Sequence, residues 1–191
     1  MIDTTFISRL RKDYKEKEKS RRQIISRSNE VLFQAKKSIF ALHRDDKQLA
    51  AEKLQEMEIS LKKLEKEFGF TRLKEEGAYQ AAVEEYVEAK SLAAIIDNKK
   101  IKAVPGIKIA YDSYLGGLCD LIGEMVRLAT NRATRGDYKS AAVLKEQAET
   151  IMAELLDFDL TGYLRTKYDQ ARGHLRKLEQ ISYEIKLHKE K

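Results

Sequence analysis

An all-α chain, folded as an antiparallel bundle of about six to seven helices with long first and last members, is what this sequence predicts. Three observations carry that expectation. Breakers are scarce: the 191 residues include 1 Pro, Pro105, and 9 Gly, and proline is the residue least tolerated inside a helix. Charged residues make up 36% and aromatics 8%, with Ala, Leu, Lys, Glu and Arg dominant, all of which lose little freedom in a helix. Finally, apolar residues recur at three- and four-residue steps, with no strand-like alternation, internal repeat or low-complexity stretch. The length fits one domain spanning 1–191 and suffices to bury a core.

The first helix is expected over about 2–44. Ile2, Phe6 and Leu10 begin a stripe that Ile24, Ser28, Val31, Ala35, Ile39 and Leu42 continue, while the charged middle, 14–22, projects beyond the core. Asp45 and Asp46 can cap a second helix reaching about residue 67, with Leu49, Leu54, Met57, Leu61 and Leu64 inward. Gly69 and Gly77 bracket a short connection. A third helix is expected over roughly 76–96, followed by the clearest loop, 97–109, which contains Pro105 and Gly106. The fourth, about 109–131, is the most apolar and therefore central. Asp137 caps a fifth helix to about 156. From about 161 the steps Leu164, Tyr168, Ala171, Leu175, Leu178, Ser182 and Ile185 alternate four and three, the seam of a coiled coil or bundle.

The net charge of +6 is unevenly placed. Residues 1–44 hold 12 Lys/Arg against 5 Asp/Glu, so the remainder is close to neutral. A basic first quarter suggests an anionic partner, with nucleic acid ahead of membrane, although a solvated face of mixed charge has the same composition. Cys119 is the only cysteine; set among Leu118, Leu121 and Ile122, it reads as a small buried thiol in a reducing compartment. No apolar leader interrupts the charged start, and no stretch approaches the roughly 18 apolar residues of a membrane span, so a soluble, cytoplasmic protein is expected.

Chemistry concentrates in two helices. Glu85 and Glu88, three apart, share one face of the third, and Asp120 and Glu124, four apart, share one face of the fourth. The second pair sits among Leu118, Leu121, Ile122 and Met125, where carboxylates cost several kcal/mol unless paired or metal-bound. Convergence of the two helices would gather oxygen-only ligands suited to Mg²⁺, which can activate water and neutralise charge on a phosphoryl group. Plain salt bridges to Lys90 or Arg127 would satisfy the same acids. The histidines, His43, His174 and His188, are scattered, which disfavours a di-iron bundle. No phosphate-cradling loop or dinucleotide fingerprint is present. Tyr86 and Tyr114, at helical spacing, read as core.

At these residues the sequence resembles the translin family, in particular its translin-associated factor X-like (Trax-like) branch. The resemblance rests on Glu85-Tyr86-Val87-Glu88-Ala89 and Tyr114-Leu115-Gly116-Gly117, then Asp120, Gly123-Glu124, Arg127, Asn131 and Gly136-Asp137 at family-like spacing. Lys36 to Arg44 also match that branch, and Tyr168, Leu175, Lys177-Leu178-Glu179 and Tyr183 agree more loosely.

The resemblance implies an all-α protein assembling into a hollow homo-oligomer, often an octamer, that encloses RNA or single-stranded DNA. It further implies that Glu85, Glu88, Asp120 and Glu124 support Mg²⁺-dependent RNA cleavage, with Mn²⁺ able to substitute. Glu85, Glu88 and Asp120 would then be ligands, with Glu124 a further ligand or the group that orients or deprotonates the attacking water. Arg22, Arg27, Lys37 and Arg44 would track the RNA backbone. The short connection between the third and fourth helices departs from the eukaryotic catalytic branch and points to self-assembly rather than a dedicated translin partner. Three other readings stay open: a non-catalytic RNA or single-stranded DNA sheath, an all-α nucleoside triphosphate pyrophosphohydrolase, and a coiled-coil scaffold. The order Asp120 then Glu124 disfavours the second, and the third gives no reason for carboxylates in a buried helix.

Overall fold

The computed structural model describes residues 2–189. Among them are seven α-helices and no strand: α1 (Thr4–His43), α2 (Lys47–Phe68), α3 (Phe70–Leu73), α4 (Gly77–Ile96), α5 (Tyr111–Thr134), α6 (Tyr138–Leu156) and α7 (Gly162–Lys189). None of these helices is long and apolar enough to cross a membrane. The all-helical expectation holds, and so do the two expected caps. Asp46 accepts from the Leu49 amide at 3.0 Å and Asp137 from the Ser140 amide at 3.1 Å, each satisfying one of the orphan donors at a helix start. Asp3 does the same for α1 through the amides of Thr5 and Phe6.

Helix α1 packs on α2 and α4, α4 on α5, α5 on both α6 and α7, and α6 on α7. Helix α5, packed on α4, α6 and α7, is therefore the middle of the bundle as expected, although α4 rather than α5 is the most apolar helix. Ile24, Val31, Ala35, Ile39 and Leu42 are buried along α1, and Leu54, Met57, Leu61 and Leu64 along α2.

Three expectations need correction. Ile2, Phe6 and Leu10 are exposed rather than part of the core stripe. Helix α1 is 40 residues long, about 60 Å at 1.5 Å per residue, and its first buried side chain is Ile24. Leu49 is also exposed, and Ala50 takes the inward position; Ala50, Leu54, Met57, Leu61 and Leu64 step by four and three, which puts Leu49 about 100° off the stripe. The connection between Gly69 and Gly77 contains a one-turn helix, α3, whose Leu73 is fully buried. The turn after α1 is tied down at a distance: Asp45 accepts from Arg132 and Arg135 near the end of α5, at 2.9 Å each.

Candidate functional site

Two adjacent glycines set the geometry of the site. A Cβ on Gly117 would lie 2.6 Å from the Glu84 carbonyl oxygen and 2.8 Å from Val87 Cβ, and one on Gly116 would fall on the Glu84 carboxyl group. Helices α4 and α5 are thus as close as two backbones without side chains allow, and their acidic faces are brought together.

Glu85, Glu88, Asp120 and Glu124 all line one cleft of about 390 Å³, together with Cys119, Gly123, Arg127, Lys167, Gln170, Ala171 and His174. Glu88 is buried, whereas Glu85, Asp120 and Glu124 are half-buried. The cleft is floored by α4 and α5 and closed on one side by α7. Helix α1 reaches its other side, where His43, only 5% exposed, bonds Glu124 Oε2 through Nε2. A carboxylate can only accept, so the imidazole donates.

The electrostatics follow from crowding. Burial, reinforced by Glu85, Asp120 and Glu124, pushes the Glu88 carboxyl up to about 9. Burial also raises Glu85, with Asp120 and Glu124 adding to the rise and Lys36 and Lys167 opposing it. Glu124 goes the other way: burial would raise it, but His43 and Arg127 together hold it below the usual carboxylate range. The neighbouring Cys119 is 1% exposed and burial pushes its thiol up to about 12, which fits an inert packing role.

Three site residues carry no signal in the helical pattern of the acids. Lys167 of α7 bonds Asp120 Oδ2 and stands 3.2 Å from Glu84 Oε2. Tyr163 donates to that same Glu84 oxygen at 2.8 Å. His43 is buried against Glu124, with its Nδ1 left without a partner. A weak signal existed for Lys167: it lies three residues after buried Leu164 and four before buried Ala171, a charged side chain on a core-facing stripe. The side chain of His188 lies outside the described residues.

The expected salt bridges divide. Arg127 Nη1 stands 3.6 Å from Glu124, but Lys90 binds Glu58 of α2 at 2.7 Å instead of the α4 acids. Tyr86 is fully buried and donates to that same Glu58, and Tyr114 donates to the Lys102 carbonyl; neither lines the acidic cleft. Arg22, Arg27, Lys37 and Arg44 lie outside the cleft as well. Arg22 is exposed, Arg27 pairs with Glu67 of α2, Lys37 stands 4.4 Å over the Phe33 ring and Arg44 5.4 Å over the Phe40 ring.

Among the described residues, no three His, Cys, Asp or Glu side chains are already gathered to hold a metal ion. Asp120 and Glu124 are turned to Lys167 and His43. The donor set nonetheless fits Mg²⁺: it is all oxygen, as a hard cation requires, and burial together with the neighbouring acids pushes its Glu88 carboxyl up to about 9, a crowding of carboxylates that a cation would relieve.

A helical bundle whose central pair opens an acidic cleft between its first and last helices defines a class of protein rather than an individual. The chain belongs to the translin family, whose model matches residues 19–189. Among solved structures, it is similar to AfC3PO at 25% identity and a TM-score of 0.84, over 97% of this chain and 99% of that one. It is also similar to AfC3PO in a complex with duplex RNA, at 24% identity and a TM-score of 0.84, over 95% of this chain and 97% of that one. Likeness to apo-NeC3PO is 24% identity with a TM-score of 0.80, over 96% and 97%. No curated protein matches the chain in sequence.

Proposed function

We propose that this chain is a Mg²⁺-dependent endoribonuclease subunit, of the Trax-like kind, that works in the cytoplasm within a hollow homo-oligomer. The observation that carries the proposal is the gathering of Glu85, Glu88, Asp120 and Glu124 in one cleft. Bound among these carboxylates, Mg²⁺ would supply positive charge for the phosphodiester undergoing attack and lower the pKa of water. Glu85, Glu88 and Asp120 would hold it. Glu124 is oriented by the His43 Nε2–H, which leaves its other oxygen to position or deprotonate the attacking water. The walls of α4, α5 and α7 keep bulk water away from the buried Glu88 side, which strengthens each of these electrostatic contacts.

Support for RNA as substrate comes from two sides. AfC3PO has been solved with duplex RNA. On this chain, Phe33, Lys37, Phe40 and Arg44 form an exposed stripe of alternating rings and cations along α1, a surface suited to bases and phosphates together. Support for self-association comes from the exposed apolar series Ile2, Phe6, Leu10 and Tyr14, spaced by four from just before α1 into its first turns. One observation favours the non-catalytic reading, an RNA or single-stranded DNA sheath: Asp120 and Glu124 are each already paired by a side chain of this same protein.

Cleavage of a short labelled RNA, followed with Mg²⁺, with EDTA and with Glu88→Ala, decides between them. The expected result is cutting that requires Mg²⁺ and falls at least about a hundredfold in the variant, since even outer-sphere partners of metal ligands are worth 10–100-fold. A folded wild type that binds RNA and never cuts it overturns the nuclease reading in favour of the sheath.

A further inference from the structure

Lys167 lines the cleft and contacts both Asp120 within it and the adjoining Glu84. Its ammonium bonds Asp120 Oδ2 and sits 3.2 Å from Glu84 Oε2, and it is 5.4 Å from the centre of the Tyr163 ring. The side chain is only 16% exposed, and although burial opposes the charge, Asp120, Tyr163 and Glu84 hold it well above the usual lysine range. A lysine this shielded keeps its charge only because the surrounding carboxylates demand it. The ammonium thus neutralises, from within the protein, one of the four carboxylates that line the cleft.

We propose that Lys167 is an internal counter-cation that competes with the divalent metal for Asp120 and must release it before the metal centre can form. The proposal rests on the reading of the cleft as a metal site and adds a residue of α7 to it. It explains why the four acids converge on one cleft while no three of them are gathered for metal: Asp120 is already neutralised from within. Glu84 supports the same arrangement, since its Oε2 accepts from Tyr163 at 2.8 Å and holds the ammonium on its other side. On leaving Asp120, the ammonium retains Glu84 and the Tyr163 ring as partners. It stays at the edge of the cleft, where a phosphate-bearing substrate would meet it. Simple anchoring of α7 to α5 is a different role, because an anchor would help rather than oppose assembly of the metal centre.

Titration of the full-length protein with Mn²⁺, read by electron paramagnetic resonance, separates the two. Lys167→Met removes the competitor and is expected to tighten Mn²⁺ binding by at least about tenfold, the low end of what a charge-assisted hydrogen bond is worth. Lys167→Arg keeps the charge and is expected to stay near wild type. Thermal melting gives a second readout: in EDTA, Lys167→Met melts below wild type, and Mn²⁺ raises its melting temperature by more than it raises the wild type's. Should Lys167→Met fail to fold in EDTA, Lys167→Gln, which keeps a hydrogen-bond donor without the charge, is expected to show the same tightening. Unchanged or weaker Mn²⁺ binding in these variants, with normal binding in wild type, overturns this inference alone. Absence of Mn²⁺ binding in wild type and variants alike overturns the metal reading of the cleft along with it.

Discussion

Glu88→Gln is expected to raise the melting temperature of the metal-free protein, and to raise it more at about pH 8 than at about pH 5, while eliminating the stabilisation that Mg²⁺ gives the wild type. The sign follows from the carboxyl's position. Burial first, then Glu85, Asp120 and Glu124, carry it from an ordinary 4.5 to about 9. Between those two values the unfolded chain has lost this proton and the folded protein keeps it. The folded state is thus fully favoured below the ordinary value and loses ground as pH rises towards about 9. Glutamine occupies similar space and cannot ionise, so the variant escapes that loss, and its margin over wild type widens with pH. In a protein of this size each kcal/mol of relief moves the melting temperature by about 2–4 °C. On the reading of the cleft as a Mg²⁺ site, a bound cation would relieve the same repulsion in the wild type, hence the expected loss of response to Mg²⁺ in the variant. Melting curves in EDTA and in Mg²⁺ across that pH range are the check. If Glu88→Gln melts lower than wild type in EDTA at about pH 8, the acids are already compensated and the site has no electrostatic need for a cation.

Two glycine substitutions are expected to have opposite signs. Alanine is favoured over glycine inside a helix by about 1 kcal/mol, and Gly173→Ala should realise most of that gain, because nothing lies within 4 Å of its added Cβ. Gly117→Ala gains the same propensity and loses far more. Its Cβ would meet the Glu84 carbonyl oxygen at 2.6 Å, and backbone cannot swing aside as a flexible side-chain tip can. Overpacking of this kind costs about 1–3 kcal/mol or more, and relief requires α4 and α5 to separate. The pair that carries Glu85 and Glu88 on one side and Asp120 and Glu124 on the other would then be displaced. Gly117→Ala should accordingly melt lower and lose RNA cleavage out of proportion to its stability. Equal, small effects of Gly117→Ala and Gly173→Ala on both readouts would show that the close approach of the helices does not govern the site.

The acids were legible in the sequence because helical periodicity reports which residues share a face, and buried carboxylates stand out on an apolar one. Asp46 and Asp137 were legible as caps for a related reason: capping is a local matter of a few residues. The partners of the acids were not. Lys167 meets Asp120 across 47 positions and His43 meets Glu124 across 81. Periodicity gives the face of a helix and not what docks on it, so a lysine on α7 and a histidine on α1 carried no sign of their common destination. Helix α3 was missed because four residues are too few to show a period. The exposure of Ile2, Phe6 and Leu10 was hidden for the opposite reason: their spacing is perfectly helical, and only the length of the packed bundle reveals that nothing there covers them.

The long-range pairing of Lys167 with Asp120 has a consequence for how the chain emerges from the ribosome. Asp120 precedes Lys167 by 47 residues, and at about 5–20 residues per second the lysine follows several seconds later. During that interval α4 and α5 can form a hairpin whose Asp120 and Glu84 lack their own lysine. The nascent chain thus presents Asp120 and Glu84 without their lysine partner until α7 arrives. On the reading of the cleft as a metal site, the order of synthesis would let a divalent ion reach Asp120 before the lysine proposed to compete for it.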